Sequence, residues 1–271
     1  MFPKIQNFVV FVFLVAIQLN SPYAIAKVVD HSVWDTLLKS HVVVKMNGAI
    51  TSVNYADFKK NRDKLNTYLK TMASVSQQAF DRMSKDEQLA MLINVYNATT
   101  IELILTGYPD IQSIKDLGAM FSSPWKKEIV SLFGKQLSLD DLEHGLIRGS
   151  RYQDPRIHFA VNCASIGCPA LRAEAYVGER LQAQLDDQAH LFLSDKSRNR
   201  FVQDALEVSY IFKWYREDFE KGWKGIHSLQ QFFSQYQDTL HLDIKQLEAL
   251  NSGRVYIKFL DYDWFLNDVK S

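Results

Sequence analysis

Apolar residues are spaced in different ways along the chain, and each spacing predicts a different element. Between Asn54 and Met72 the residues Phe58, Leu65, Tyr68 and Leu69 recur among charged ones, the pattern of a surface helix. Ser84 and Glu87 then match a capping box, in which each side chain satisfies an orphan backbone donor of the first helical turn. The stretch from Leu89 to Leu105 is apolar nearly all round, so the helix it forms should be central and buried. Asn94, Asn97 and Glu102 make it a poor membrane span. Gly107 and Pro109 end it.

Ile129 to Leu137 reads as two short strands around Phe133-Gly134-Lys135. Ser138 opens a further helix, with Asp140 and Asp141 in its first turn and Leu139, Leu142 and Leu146 on its inner face; Gly149 ends it. After the Asp154-Pro155 turn, Ile157 to Asn162 is predicted as a buried strand. Val177 to Leu193 is amphipathic helix with Leu181, Leu185, Ala189 and Phe192 on one stripe. Phe201 to Val208 is expected to be another strand. Helices near Ser228 to Tyr236 and Ile244 to Leu250 and a strand at Val255 to Leu260 follow. The class is α+β, a helix-dominated domain with a small central β-sheet. No repeat or Pro, Gly or Ser-rich linker divides residues 27–271, so they form a single globular domain.

The first 26 residues stand apart. Lys4 supplies a positive start, Phe8 to Ile17 is an unbroken apolar run, and Ser21 and Pro22 break it. Ala24-Ile25-Ala26 then offers small residues at a cleavage site, so the segment is expected to be a secretory signal peptide cut near Ala26. The run falls short of the roughly 20 residues a spanning helix needs, and no cysteine at the cut suggests a lipid anchor. A periplasmic or secreted protein with no membrane span in the mature chain is expected. Its 271 residues carry 31 Lys+Arg and 31 Asp+Glu, which lacks the basic excess of a nucleic-acid binder. Only two cysteines are present, too few for a disulfide scaffold.

Both cysteines fall in the unusual stretch from Ser138 to Arg172, together with His144, His158 and several acids. Three readings of Cys163 and Cys168 stand side by side. Cys163 is a nucleophile activated by a nearby base or cation, or the pair is a disulfide, favoured by an oxidising compartment. Alternatively the two thiols bind metal with His144 and His158, although no matching second pair is present. The spacing is not the Cys-x-x-Cys of redox proteins. On an extended Ile157 to Cys163, His158 would share a face with Ala160 and Asn162 and lie roughly 16 Å along the strand from Cys163. That geometry favours His144 as base and leaves His158 as a structural hydrogen-bonder. Glu143, next to His144 but turned about 100° away on a helix, would contact the thiol side or the substrate. Asn94, Asn97 and Asn162 are candidates for orienting the base or supplying oxyanion donors, or for a structural network, since a buried amide needs partners. The backbone amides of Ala164 and Ser165 are further oxyanion candidates. Arg172 offers a cation for an anionic substrate group. The aromatic group Tyr210, Phe212, Trp214, Tyr215 and Phe219 reads as core rather than as a binding platform.

These stretches carry a resemblance. Leu92-Ile-Asn-Val-Tyr-Asn-Ala-Thr-Thr-Ile, Leu137-Ser-Leu-Asp-Asp-Leu-Glu-His-Gly and the run from Asp154 through Cys163 and Cys168 to Arg172 resemble the domain of unknown function 547 family. Ser209-Tyr-Ile-Phe-Lys-Trp-Tyr and Leu260-Asp-Tyr-Asp-Trp fit as well, so the likeness runs from about Lys85 to the last residues. The resemblance implies a shared polar centre, here Cys163 with His144 and Glu143, and a cysteine-dependent hydrolase. Two functions are therefore expected to compete. One is a secreted thiol hydrolase without cofactor or metal, acting on a small amide, thioester or peptide-like molecule such as glutathione. The other is a non-catalytic periplasmic binding or scaffold protein with a structural Cys163–Cys168 disulfide. The sequence does not fix the oligomeric state.

Overall fold

A computed structural model of the protein describes residues 29–119 and 122–270; the expected signal segment lies outside them. The chain opens with α1 (Ser32–His41) and a hairpin of β1 (Val42–Lys45) and β2 (Ile50–Val53). α2 (Tyr55–Lys60), α3 (Arg62–Ala73) and α4 (Gln77–Asp81) lead to the 21-residue α5 (Lys85–Leu105). The surface helix expected over 54–72 is thus two helices. Its break falls at Asn61, whose amide donates to the Asp57 carbonyl and competes with the backbone for that acceptor.

Helix α5 begins at the capping box of Ser84 and Glu87, both arms of which are made. It has the length and hydropathy of a membrane span, yet nearly all of it is buried inside the protein. Strands β3 (Glu128–Leu132) and β4 (Lys135–Ser138) form the expected hairpin. Phe133 and Gly134 both take positive φ at its turn, as a tight two-residue connection with the right-handed strand twist requires. The helix after Ser138 winds as a π-helix over Asp141–Ile147, with the Arg148 amide bonded five residues back to the Glu143 carbonyl.

No strand forms at Ile157. Asp154 accepts from the Arg156 amide and Pro155 occupies the first turn, so the segment Pro155–Phe159 starts as a 3-10 helix. The Asp-Pro pair read as a turn is a helix start, and the face assignment built on an extended backbone falls with it. Helix α6 (Leu181–Ser194) follows, then β5 (Arg200–Val202) and β6 (Ala205–Ser209). Short helices α7 (Ile211–Trp214), α8 (Arg216–Glu220), α9 (Leu229–Gln235), α10 (Gln237–Leu240) and α11 (Ile244–Asn251) precede β7 (Tyr256–Leu260). β7 pairs parallel to β6, which pairs antiparallel to β5. The class is α+β, with the strands distributed over three small sheets of two, two and three strands.

Two apolar clusters fill the interior. One gathers α1 to α5 with Leu139, Leu142 and Ile147 of the π-helical region; the other gathers Phe159, β6 and the aromatic residues of α7 to α9. Helix α6 joins them, giving Leu181 and Leu185 to the first and Ala189, Phe192 and Leu193 to the second.

Burial also sets an acid limit on the first cluster. His31 is buried with Nδ1 2.8 Å from the Tyr68 hydroxyl, and burial lowers its pKa to about 4 against a modest raising by Asp30. Between the ordinary imidazole value and about 4 the unfolded chain takes up a proton that the folded chain refuses. The His31 contribution is therefore fully present well above about pH 6.5 and falls as the pH drops, a loss of about 2 kcal/mol by pH 5. Urea unfolding at pH 7 and pH 5 should show His31→Asn losing correspondingly less than the parent chain; equal losses would refute the assignment.

Candidate functional site

The seam between the two clusters holds a cavity of about 420 Å³. The first cluster contributes Tyr96 of α5, and its partly buried neighbours Trp125 and Val161; Ile211, Tyr215 and Tyr262 belong to the second. Cys163, Cys168, Glu143, His144 and His158 all border this space.

Two amides of α5 fix the approach to the cysteines. Asn94 brackets Tyr176, donating to its carbonyl at 2.7 Å and accepting from its amide at 3.0 Å. Asn97 donates to the Ala160 carbonyl at 2.9 Å and accepts from the Asn162 amide at 2.8 Å. Asn162 passes the constraint on. Its side chain donates to the Pro169 carbonyl and accepts from the Ala164 amide, each at 2.8 Å, closing the Cys163–Cys168 loop. Ala164 is thereby held at φ 63°, a left-handed conformation that a side chain disfavours. These three asparagines build the loop that carries the thiols, and the Ala164 amide, being used, is no oxyanion donor.

The sulfurs of Cys163 and Cys168 are paired, their Cα atoms 6.3 Å apart. Around them lie the Tyr262 hydroxyl, 3.2 Å from both, the Ser165 hydroxyl, and the Cys163 amide, which donates to Cys168 Sγ at 2.9 Å. No histidine nitrogen hydrogen-bonds either sulfur among the described residues. The last residues strap this loop in place: the Ile166 and Gly167 amides donate to Phe265 and Asp263, and the Asn267 amide donates to Ala164. A Cβ on Gly167 would stand 2.9 Å from the Asp263 carbonyl oxygen, so this close passage needs glycine.

Glu143 and the two histidines form a network along one wall. The buried Glu143 carboxylate accepts from Tyr96 at 2.9 Å and Tyr215 at 2.8 Å. Burial, reinforced by this carboxylate, raises the pKa of both phenols, so each stays a donor. Tyr215 stacks on the His158 ring with centroids 3.9 Å apart. His158 Nε2 lies 2.8 Å from Asp218, which Arg148 also holds at 2.6 Å. Burial pushes the Asp218 carboxyl up, but the hydrogen bonds of His158 and Arg148 outweigh it and keep the group below the usual carboxylate range. Burial lowers the His158 pKa despite Asp218 and Glu143, so the ring is neutral at pH 7. With its proton on Nε2 facing Asp218, Nδ1 keeps a lone pair, is buried, and has no partner.

His144 differs. Its Nδ1 lies 2.6 Å from Arg148 Nη1, and a guanidinium only donates, so that lone pair is occupied. Its Nε2 faces Asp140 at 3.9 Å. His158 also borders the cavity, and with no strand at Ile157 the face argument that set it aside no longer applies. Arg172 lies outside the cavity and is spent on Glu174, Asp187 and Gln188. Lys115 is a cation that borders it, its Nζ 3.7 Å over the Trp264 ring. The aromatic group divides: Phe212 and Phe219 are core, whereas Trp214 and Tyr215 face the cavity with Trp125 and Trp264. Among the described residues no three His, Cys, Asp or Glu side chains are grouped to hold a metal ion.

Sequence patterning named Ser165 only for its backbone amide, not its hydroxyl, and missed Asp218, Tyr262 and Trp264. The family-like closing motif contains Tyr262 and Trp264 and was the signal available for them. Residues 80–193 match the family model described as protein of unknown function, DUF547, so that stretch is similar to the DUF547 family. The match takes in the three asparagines, Glu143, both histidines and both cysteines, and ends before Trp214, Asp218 and Tyr262. No curated protein and no solved structure matches the chain.

The amide relay is testable by removing its first member. Asn97→Ala orphans the Ala160 carbonyl and the Asn162 amide, both buried, and should lower the unfolding free energy by about 2–4 kcal/mol. A loss below about 1 kcal/mol in chemical denaturation would show the clamp to be dispensable.

Proposed function

We propose that the protein is a thiol-dependent hydrolase of small amide, thioester or ester substrates, peptide-like ones included. One observation carries the reading: a nucleophile candidate, two histidines and a buried carboxylate border one cavity of small-molecule size. In the reduced chain Cys163 adds to the substrate carbonyl, the leaving group departs with a proton, and water cleaves the resulting thioester. His158, its Nε2 held by Asp218 and its ring bordering the cavity, serves as the proton carrier in this scheme. Glu143 acts through Tyr215, whose ring fixes the His158 plane. His144 meets the substrate at the cavity edge and becomes a base only when Arg148 releases it. Trp125, Trp214 and Trp264 offer flat apolar faces, and Lys115 a partner for a substrate carboxylate, the role Arg172 no longer fills.

Reduced protein assayed on a panel of small acyl substrates should turn over and leave a thioester adduct on Cys163 detectable by mass spectrometry. Cys163→Ala should abolish both, and His158→Ala should lower kcat/KM by about 10²–10⁴-fold. Because burial depresses the His158 pKa, activity should persist on the acid side of the ordinary imidazole value of about 6.5 before it falls. Full turnover by Cys163→Ala, or an effect confined to His144→Ala, defeats the scheme.

The reading includes export to the periplasm or the cell exterior, supported by the Lys4, Phe8–Ile17 and Ala24-Ile25-Ala26 pattern. Sequencing the N-terminus of protein recovered from the source cells should find it near Lys27; an intact Met1 would overturn export by cleavage.

A further inference from the structure

We infer that Cys163 and Cys168 form a reversible dithiol–disulfide couple that exchanges with low-molecular-weight disulfides entering the cavity. The inference shares Cys163 with the proposed hydrolase and does not depend on it. Their Cα separation of 6.3 Å lies inside the roughly 4.4–6.8 Å range that a disulfide spans without moving the backbone. That separation is set by hydrogen bonds independent of the sulfurs. Asn162 ties the residue before Cys163 to Pro169, just after Cys168, and Asn97 anchors Asn162 to α5. The thiols therefore stay adjacent when reduced, and the loop gives each a high effective concentration toward the other.

The two positions are unequal in the way that exchange requires. Cys163 is half-buried at the cavity, whereas Cys168 is 5% exposed. Cys163 is the thiol an incoming disulfide meets, and Cys168 is the one that resolves the product. In the reduced protein the Cys163 thiolate attacks one sulfur of the small disulfide, forming a mixed disulfide and expelling one small thiolate. Cys168, as its thiolate, then attacks Cys163 Sγ, closes the Cys163–Cys168 bond and expels the second small thiolate. The protein loses two electrons and two protons, and the small disulfide becomes two thiols. In reverse, a small thiolate opens the bond at Cys163, and Cys168 departs as the thiolate. The Cys163 amide and the Ser165 and Tyr262 hydroxyls already point hydrogen bonds at that sulfur, which stabilises the leaving charge. Asn162 is a positioning residue: it sets how readily the bond closes without touching either sulfur.

Native protein equilibrated in mixtures of reduced and oxidised glutathione, quenched by alkylation and weighed by mass spectrometry, tests the inference without an activity assay. Both alkylatable thiols should disappear together as the oxidised form rises, with little persistent glutathione adduct. Cys168→Ser should instead accumulate one adduct, mapped to Cys163. Asn162→Ala should shift the equilibrium at least about 10-fold toward the dithiol or mixed-disulfide forms, whereas a purely structural role would leave it unchanged. Thiols that exchange only after denaturation overturn the inference, as does a stable adduct on the parent protein or an adduct of Cys168→Ser that is not on Cys163. If Asn162→Ala does not fold, the parent chain and Cys168→Ser decide the question alone.

Discussion

The site rests on side-chain amides standing in for a missing sheet. An irregular segment cannot be buried unless its backbone donors and acceptors are satisfied, and residues 160–176 run beside α5 with only an isolated bridge, between Ser165 and Leu266, for strand pairing. Asn94 and Asn97 each present one donor and one acceptor, matching what a strand edge would offer to Tyr176 and to the Ala160–Asn162 backbone. Helix geometry places two residues three apart on a common face, so one buried helix dictates where two distant loops lie. The apolar shell around α5 makes those hydrogen bonds expensive to lose.

Where two cores meet, neither fills the seam completely, and polar groups collect there because both sides can lend them partners. Glu143 illustrates this: Tyr96 comes from one core and Tyr215 from the other, and a single carboxylate joins them. From Tyr215 the order runs through His158 and Asp218 to Arg148 and His144, so the two rings are mechanically coupled although they belong to different segments. The π-helical turn is what brings Glu143 inward while leaving His144 half open to solvent.

Elements with a strong local cause were legible in the sequence. Capping at Ser84, all-round apolarity to Leu105 and the turn at Phe133-Gly134 each have one dominant determinant within a few residues. Ile157 to Asn162 was misread because a short apolar run is compatible with strand or helix, and the local arbiter, Asp154 ahead of Pro155, supports a helix start as well as a turn. Candidate chemistry was legible as composition: the cysteines, Glu143 and the histidines were found because they cluster in the chain. Their partners were not, since Asp218 lies 60 residues from His158 and Tyr262 lies 99 from Cys163, and periodicity carries no record of such meetings. The same blindness gave Arg172 a free charge that Asp187 and Glu174 in fact occupy.

The strap over the cysteine loop consists of residues added late. Phe265 and Asn267 reach Ala164 and Ile166 on one side, and Asn267 also receives the Tyr55 hydroxyl and the Val53 amide on the other. A ribosome working at about 5–20 residues per second needs about 5–20 s to travel from Cys163 to Tyr262. Until those residues arrive, the loop carrying Cys163 and Cys168 lacks the backbone partners that Asp263, Phe265 and Asn267 supply, so its enclosure is among the last events of folding.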